Sequence, residues 1–183
     1  MLQNHNYNNN NYDFGSIKKR YEKFFKNLIY YVRLNPPDLF IEIGSSLEYG
    51  RSLKKINESS KSFPSTNYGI LKLKNTNLLK KISKKFKFTV IILRVFSIYG
   101  YLDRRDKLIE FIKYKNKITI NHPKLKQDFI SINYFNKIVL KILKKKKFKS
   151  FDIYNCSSGI GLTPIQIINL LPNTEFKKKK NYI

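Results

Sequence analysis

Apolar residues recur at intervals of three and four from Tyr21 through Phe24, Phe25, Leu28 and Ile29 to Val32, the spacing of one helix face. Ser16 is placed to cap that helix, and Pro36-Pro37, which cannot continue it, marks its end. The period then changes. Leu39-Phe-Ile-Glu-Ile43 reads as a short buried strand that stops at Gly44-Ser45-Ser46. A polar loop with Asn57, Ser59, Ser60 and Ser62 runs through Pro64. Helical spacing returns over residues 67–86, with Ile70, Leu71, Leu78, Leu79 and Ile82 on one side. Residues 88–96 (FTVIILRVF) are almost unbroken β-branched and aromatic, as a central parallel strand covered on both faces requires. Helix–strand–helix–strand alternation at this spacing predicts an α/β fold with a parallel sheet and helices on its faces.

Beyond Gly100 the predicted elements are shorter: a helix over 107–114, strands at 118–120 and 129–132, a helix over 134–145 and a strand at 151–155. Thr163-Pro164-Ile165-Gln166 combines a capping hydroxyl, a proline at the first helical position and a Gln three residues after the cap, a helix start. Three regions follow from the pattern. Residues 1–15, with six Asn, form a low-complexity tail expected to be disordered. Residues 16–105 form the main α/β unit, and 106–183 a smaller region.

A chain of 183 residues buries enough surface to fold without cross-links. Its one cysteine, Cys156, excludes an intramolecular disulfide, and His5 and His122 are too far apart in sequence to build a Cys/His zinc site. The opening MLQNHNYNNN lacks the charged-then-apolar pattern of a secretory signal, and no apolar run approaches the ~20 residues that span a bilayer. A cytoplasmic protein with no membrane partner is the expectation.

The net charge of +25 points first to nucleic acid. The composition points elsewhere: 31 Lys against 6 Arg, with 20 Asn, 24 Ile and no Ala, is the usage of A/T-rich codons. A phosphate-gripping surface favours Arg, whose fork binds phosphate in a bidentate manner. The lysines are spread along the chain, and their densest runs, 144–147 and 177–180, fall at a helix end and a tail. Solvated lysine faces and no specific nucleic-acid partner are expected.

Tyr68 and Lys72 stand four apart near a predicted helix start, so both project from one face. An ammonium beside a phenol favours the phenolate and turns the tyrosine into a usable base. Ser45 and Ser46 follow the C-terminal end of a strand, where open α/β sheets place ligands, and LRVFSIYG (93–100) ends another such strand.

FIEIGSSLEYG (40–50), Pro64 with Tyr68-Gly69-Ile70-Leu71-Lys72, LRVFSIYG (93–100), Gln127-Asp128-Phe129-Ile130 and Tyr154-Asn155-Cys156-Ser157-Ser158-Gly159 occur in this order. The series resembles the extended short-chain dehydrogenase/reductase family, the NAD-dependent sugar-nucleotide epimerases and dehydratases, over about residues 20–171. The resemblance implies part of a doubly wound, Rossmann-type parallel sheet and part of a small C-terminal substrate domain. It puts catalysis on Ser45, Tyr68 and Lys72, with Lys72, Tyr68 and Phe96 toward NAD or NADP. It puts a nucleotide-sugar substrate against Ser45, Ser46, Ser97 and Gln127.

The departures matter as much. Ser46 and Leu47 stand where sugar dehydratases carry Asp and Glu, which leaves an epimerase or a reductase. Ser97 and Gln127 replace an Asn and an Arg that hold the substrate diphosphate, and Ser131 and Asn133 replace His or Tyr and Asp. The family's Gly-rich dinucleotide turn has no counterpart: Gly159-Ile160-Gly161 has Pro164 where a third Gly belongs. Three readings result. The first is an enzyme whose cofactor-binding half is supplied separately, with that half or a second copy of the chain as partner, and which is inactive alone. The second is a non-catalytic remnant or interaction module of the same fold, and the third a Lys-rich nucleic-acid-binding domain.

Overall fold

A computed structural model describes residues 14–52, 55–101, 103, 107, 109, 123–145 and 147–170. In chain order the elements are α1 (Phe14–Leu34), β1 (Leu39–Ser45), a 3-10 turn (Ser46–Glu48), α2 (Asn67–Phe86), β2 (Thr89–Val95) and β3 (Ser97–Tyr99). They continue with β4 (Gln127–Ser131), α3 (Ile132–Leu143), β5 (Phe151–Cys156), β6 (Gly161–Leu162) and α4 (Pro164–Leu170).

The most apolar stretch of the chain becomes the centre of the sheet. β2 lies between β1 and β5, and all three run parallel. Side chains alternate across a strand, so one strand feeds two cores. Val90 and Ile92 pack with Phe25 and Val32 of α1 and with Leu79 and Ile82 of α2. Ile91 and Leu93 pack on the other face with Ile130 of β4 and Ile142 of α3. All four β2 residues are fully buried, which explains the unbroken apolar run. Helices thus cover both faces, as the doubly wound reading requires. A smaller group pairs β3 parallel to β4 and β4 antiparallel to β6.

Several boundaries differ from the sequence expectation. α1 begins at Phe14, so Ser16 lies inside its first turn and is no cap, and the tail boundary at residue 15 falls within a helix. β1 runs two residues past Ile43 because Gly44 and Ser45 still pair with Arg94 and Val95. α3 starts at Ile132, two residues early, where the Ser131 hydroxyl accepts the Tyr134 N–H at 3.2 Å as a cap. Thr163 and Gln166 do form the expected reciprocal cap, Gln166 Oε1 accepting the Thr163 N–H at 2.9 Å. Phe24 and Ile70, expected on buried helix faces, are 52% and 40% exposed. Of the helix expected over 107–114 only residues 107 and 109 are described, and the strand at 118–120, residues 1–13, His122 and the 177–180 lysines lie outside the described residues. No helix among those described is long and apolar enough to cross a membrane.

Candidate functional site

Ser45, Val95 and Cys156 are register partners and form the last row of the parallel sheet. Strand carboxyl ends in open α/β sheets are where ligands bind, since the chain leaves each strand there without closing over it. Ser45 caps the 3-10 turn: its Oγ accepts the Leu47 N–H at 3.2 Å, and its own N–H donates to Glu48 Oε1 at 2.9 Å. The hydroxyl oxygen is therefore fixed as an acceptor toward the turn.

Tyr68 sits in the first turn of α2, which Thr66 caps by accepting the Gly69 N–H at 3.0 Å. Gly69 lets this turn meet the one after Ser45: a Cβ there would lie 2.4 Å from the Leu47 carbonyl oxygen and 3.1 Å from Pro64 Cβ. Gly69→Ala gains a little helix propensity but drives backbone into backbone. A net loss of about 1–3 kcal/mol in urea denaturation is expected; unchanged stability would mean the two turns are not in contact.

Lys72 follows one turn later on the sheet-facing side of α2. Its Nζ donates to Glu42 Oε1 at 3.0 Å and to the Ile43 carbonyl at 2.7 Å, and lies 5.4 Å from the Tyr21 ring centroid. Burial disfavours its charge, but Glu42, with smaller contributions from the phenols of Tyr68 and Tyr21, more than offsets this, and the pKa is raised. The resulting stabilisation is fully present below the ordinary lysine pKa and is lost as pH rises through the raised one. Glu42 is thus the main partner of the lysine, ahead of the phenols of Tyr68 and Tyr21.

Two residues with no assigned role in the sequence reading anchor this corner. Glu48 is 0% exposed; Oε2 accepts Arg94 Nε at 3.0 Å, Arg94 Nη2 at 2.9 Å and the Thr76 hydroxyl at 2.9 Å. Gly44 makes room for it, since a Cβ there would stand 2.7 Å from Glu48 Oε1. Arg94, 2% exposed, stacks 4.2 Å from the Tyr49 ring centroid, and the Tyr49 hydroxyl donates to Asn155 Oδ1 at 2.8 Å. One carboxylate therefore ties together the Ser45 backbone, α2 through Thr76, and β2 through Arg94. The signal was an arginine inside FTVIILRVF, because a charge in a buried strand needs a partner.

The remaining candidates spread outward from this corner. Ser46 opens the 3-10 turn and is half-buried. Phe96, also half-buried, joins β2 to β3 and donates its N–H to the Cys156 carbonyl at 3.1 Å. Ser97 is buried at the start of β3, and Gln127 starts the neighbouring β4. The Gly159 N–H is taken by Asp128 Oδ2 at 2.7 Å, while Asp128 Oδ1 accepts the Ser158 N–H at 2.7 Å. A carboxylate already fills that glycine turn, so it is no phosphate cradle.

Comparison with known proteins gives a consistent result. The model of the NAD dependent epimerase/dehydratase family matches residues 9–157. Among solved structures, UDP-glucuronic acid 4-epimerase from Bacillus cereus in complex with NAD is 24% identical, with a TM-score of 0.72 over 78% of this chain and 48% of that one. The dTDP-glucose 4,6-dehydratase of Bacillus anthracis, also with NAD, is 19% identical, with a TM-score of 0.70 over 81% and 50%. The UDP-glucose 4-epimerase of Thermotoga maritima, with UDP-glucose, is 19% identical, with a TM-score of 0.66 over 78% and 49%. The chain spans about half the length of these solved structures. No curated protein matches it in sequence.

Proposed function

Because the chain belongs to the NAD-dependent epimerase/dehydratase family, we propose that Ser45, Tyr68 and Lys72 form the sugar-facing end of a nucleotide-sugar epimerase or reductase site. The observation that carries this reading is the direct contact of the Tyr68 turn, through Gly69, with the turn that follows Ser45, at the carboxyl end of parallel strands. Ser45 donates a hydrogen bond to a sugar hydroxyl, and Tyr68 accepts that hydroxyl's proton. Lys72 lowers the cost of the phenolate by its charge. Ser97 and Gln127 would face the nucleotide diphosphate. NAD, when bound, supplies the two-electron acceptor for the sugar carbon.

Tyr68, Lys72 and Phe96 would meet the nicotinamide end of such a cofactor. The Gly159 turn does not fit its pyrophosphate, which needs free backbone N–H groups at a helix start, because Asp128 occupies them. The cofactor's pyrophosphate contacts would fall to residues outside those described. A non-catalytic member of the same fold is the second reading, favoured by the engagement of Lys72 with Glu42.

NMR of the isotope-labelled chain, titrated with NAD and UDP-glucuronic acid, separates the two. The catalytic reading expects shifts centred on Ser45, Tyr68 and Lys72 at millimolar ligand, a binding free energy of only about −4 kcal/mol. Unmoved resonances at these three positions, with both ligands present, would hand first place to the non-catalytic reading.

A further inference from the structure

Phe40, Glu42 and Gly44 share the face of β1 that looks toward α2. A glutamate between Phe40 and Gly44 is unexpected on a helix-covered face, in a chain with 12 acidic residues against 37 basic ones. It is also well packed: the Glu42 and Lys72 side chains are 14% and 8% exposed. They line a cleft of about 480 Å³ with Arg20, Tyr21 and Phe24 of α1. An ammonium carries three N–H donors. Two of those on Lys72 go to Glu42 and the Ile43 carbonyl.

We propose that Glu42 is a positioning residue for Lys72, a carboxylate clamp that holds the ammonium at β1 and leaves one N–H for Tyr68 or a ligand hydroxyl. The inference rests on the Ser45–Tyr68–Lys72 reading and adds a fourth residue to it, one that touches no reacting atom. The groups around the ammonium are Glu42 from β1, Tyr68 from α2, and Tyr21 with Arg20 from α1. The Glu48–Arg94 pair lies one turn further along α2, at Thr76. Glu42 thus sets how much of the lysine's charge reaches Tyr68. Removing its charge while keeping its shape delivers more of that charge to the phenol, which then ionises at lower pH.

The test needs no turnover. Tyrosine labelled with 13C at the ring carbon bearing the hydroxyl is titrated by NMR in the whole chain, and the Tyr68 signal is identified by its loss in Tyr68→Phe. Glu42→Gln is expected to lower the Tyr68 midpoint by about 0.5–1 pH unit. In a Lys72→Met background the same substitution is expected to give a much smaller shift, because Glu42 acts through the lysine. Glu42→Asp, whose carboxylate is one methylene shorter, is expected to fall between, and serves alone if the Gln variant does not fold. A Tyr68 midpoint that ignores Glu42 but rises in Lys72→Met would overturn the clamp and leave the site reading intact. An equal shift with and without Lys72 would also overturn it, as a direct field and no positioning. A midpoint indifferent to both Glu42 and Lys72 would remove the site reading itself.

Discussion

Glu48→Leu is expected to lower the stability of the protein by about 3–5 kcal/mol, the usual loss when one partner of a buried ion pair is removed. The substitution leaves the Arg94 guanidinium charged and buried with its carboxylate gone, and it strands the Ser45 N–H and the Thr76 hydroxyl. For a chain of this length the loss corresponds to a fall in Tm of roughly 6–20 °C. It is a large part of the ~5–15 kcal/mol that holds a typical domain folded. Glu48→Leu combined with Arg94→Met is expected to recover much of the loss, because buried pairs replaced on both sides by apolar groups of similar size are often nearly neutral. Thermal and urea denaturation of the two single variants and the double variant make the comparison. If the double variant loses the sum of the two single losses, the pair is not coupled and the anchoring role of Glu48 is lost.

Tyr68→Phe removes only an oxygen, and is expected to reduce turnover of a nucleotide sugar by roughly 100- to 10,000-fold, the range for a general acid–base group. The assay requires a preparation that turns over NAD and the sugar. The circular dichroism spectrum should match that of the parent, which separates lost chemistry from lost fold. Ser45→Ala should be milder, since it deletes a hydrogen bond and leaves the base in place. Lys72→Met should move the onset of activity to higher pH: without the ammonium the phenol ionises later, so the base becomes available later. Full turnover by Tyr68→Phe would end the assignment of the base.

The elements that were legible in sequence are those whose environment is uniform along their length. Residues 88–96 read as a central strand because both faces of β2 meet apolar helices, and no polar face exists to disturb the pattern. α2 was legible from its period of three and four. The start of α1 was not, because Ser16 has the chemistry of a cap but the helix already runs from Phe14. Within the site, it is the family resemblance that puts Ser45 and Tyr68 together, each at the end of an element. Glu42 could not be assigned: alternation within a five-residue strand does not say which face a helix will cover. Glu48 meets Arg94 across 46 positions, through a contact that exists only once β2 and the turn after β1 are side by side. Local pattern shows that Arg94 needs a partner; only the fold says which.

The last row of the sheet has a use in the laboratory that its chemistry alone does not suggest. Cys156 is wholly buried at the end of β5, burial and then Glu58 push its thiol up to about 11, and the chain has no other cysteine. A thiol at rest in that position is both shielded and protonated, so a modifying reagent reaches it only when the packing around the end of β5 opens. The rate of its labelling is therefore a clock for opening at the strand ends where Ser45 and Val95 sit. No cysteine has to be introduced to read it.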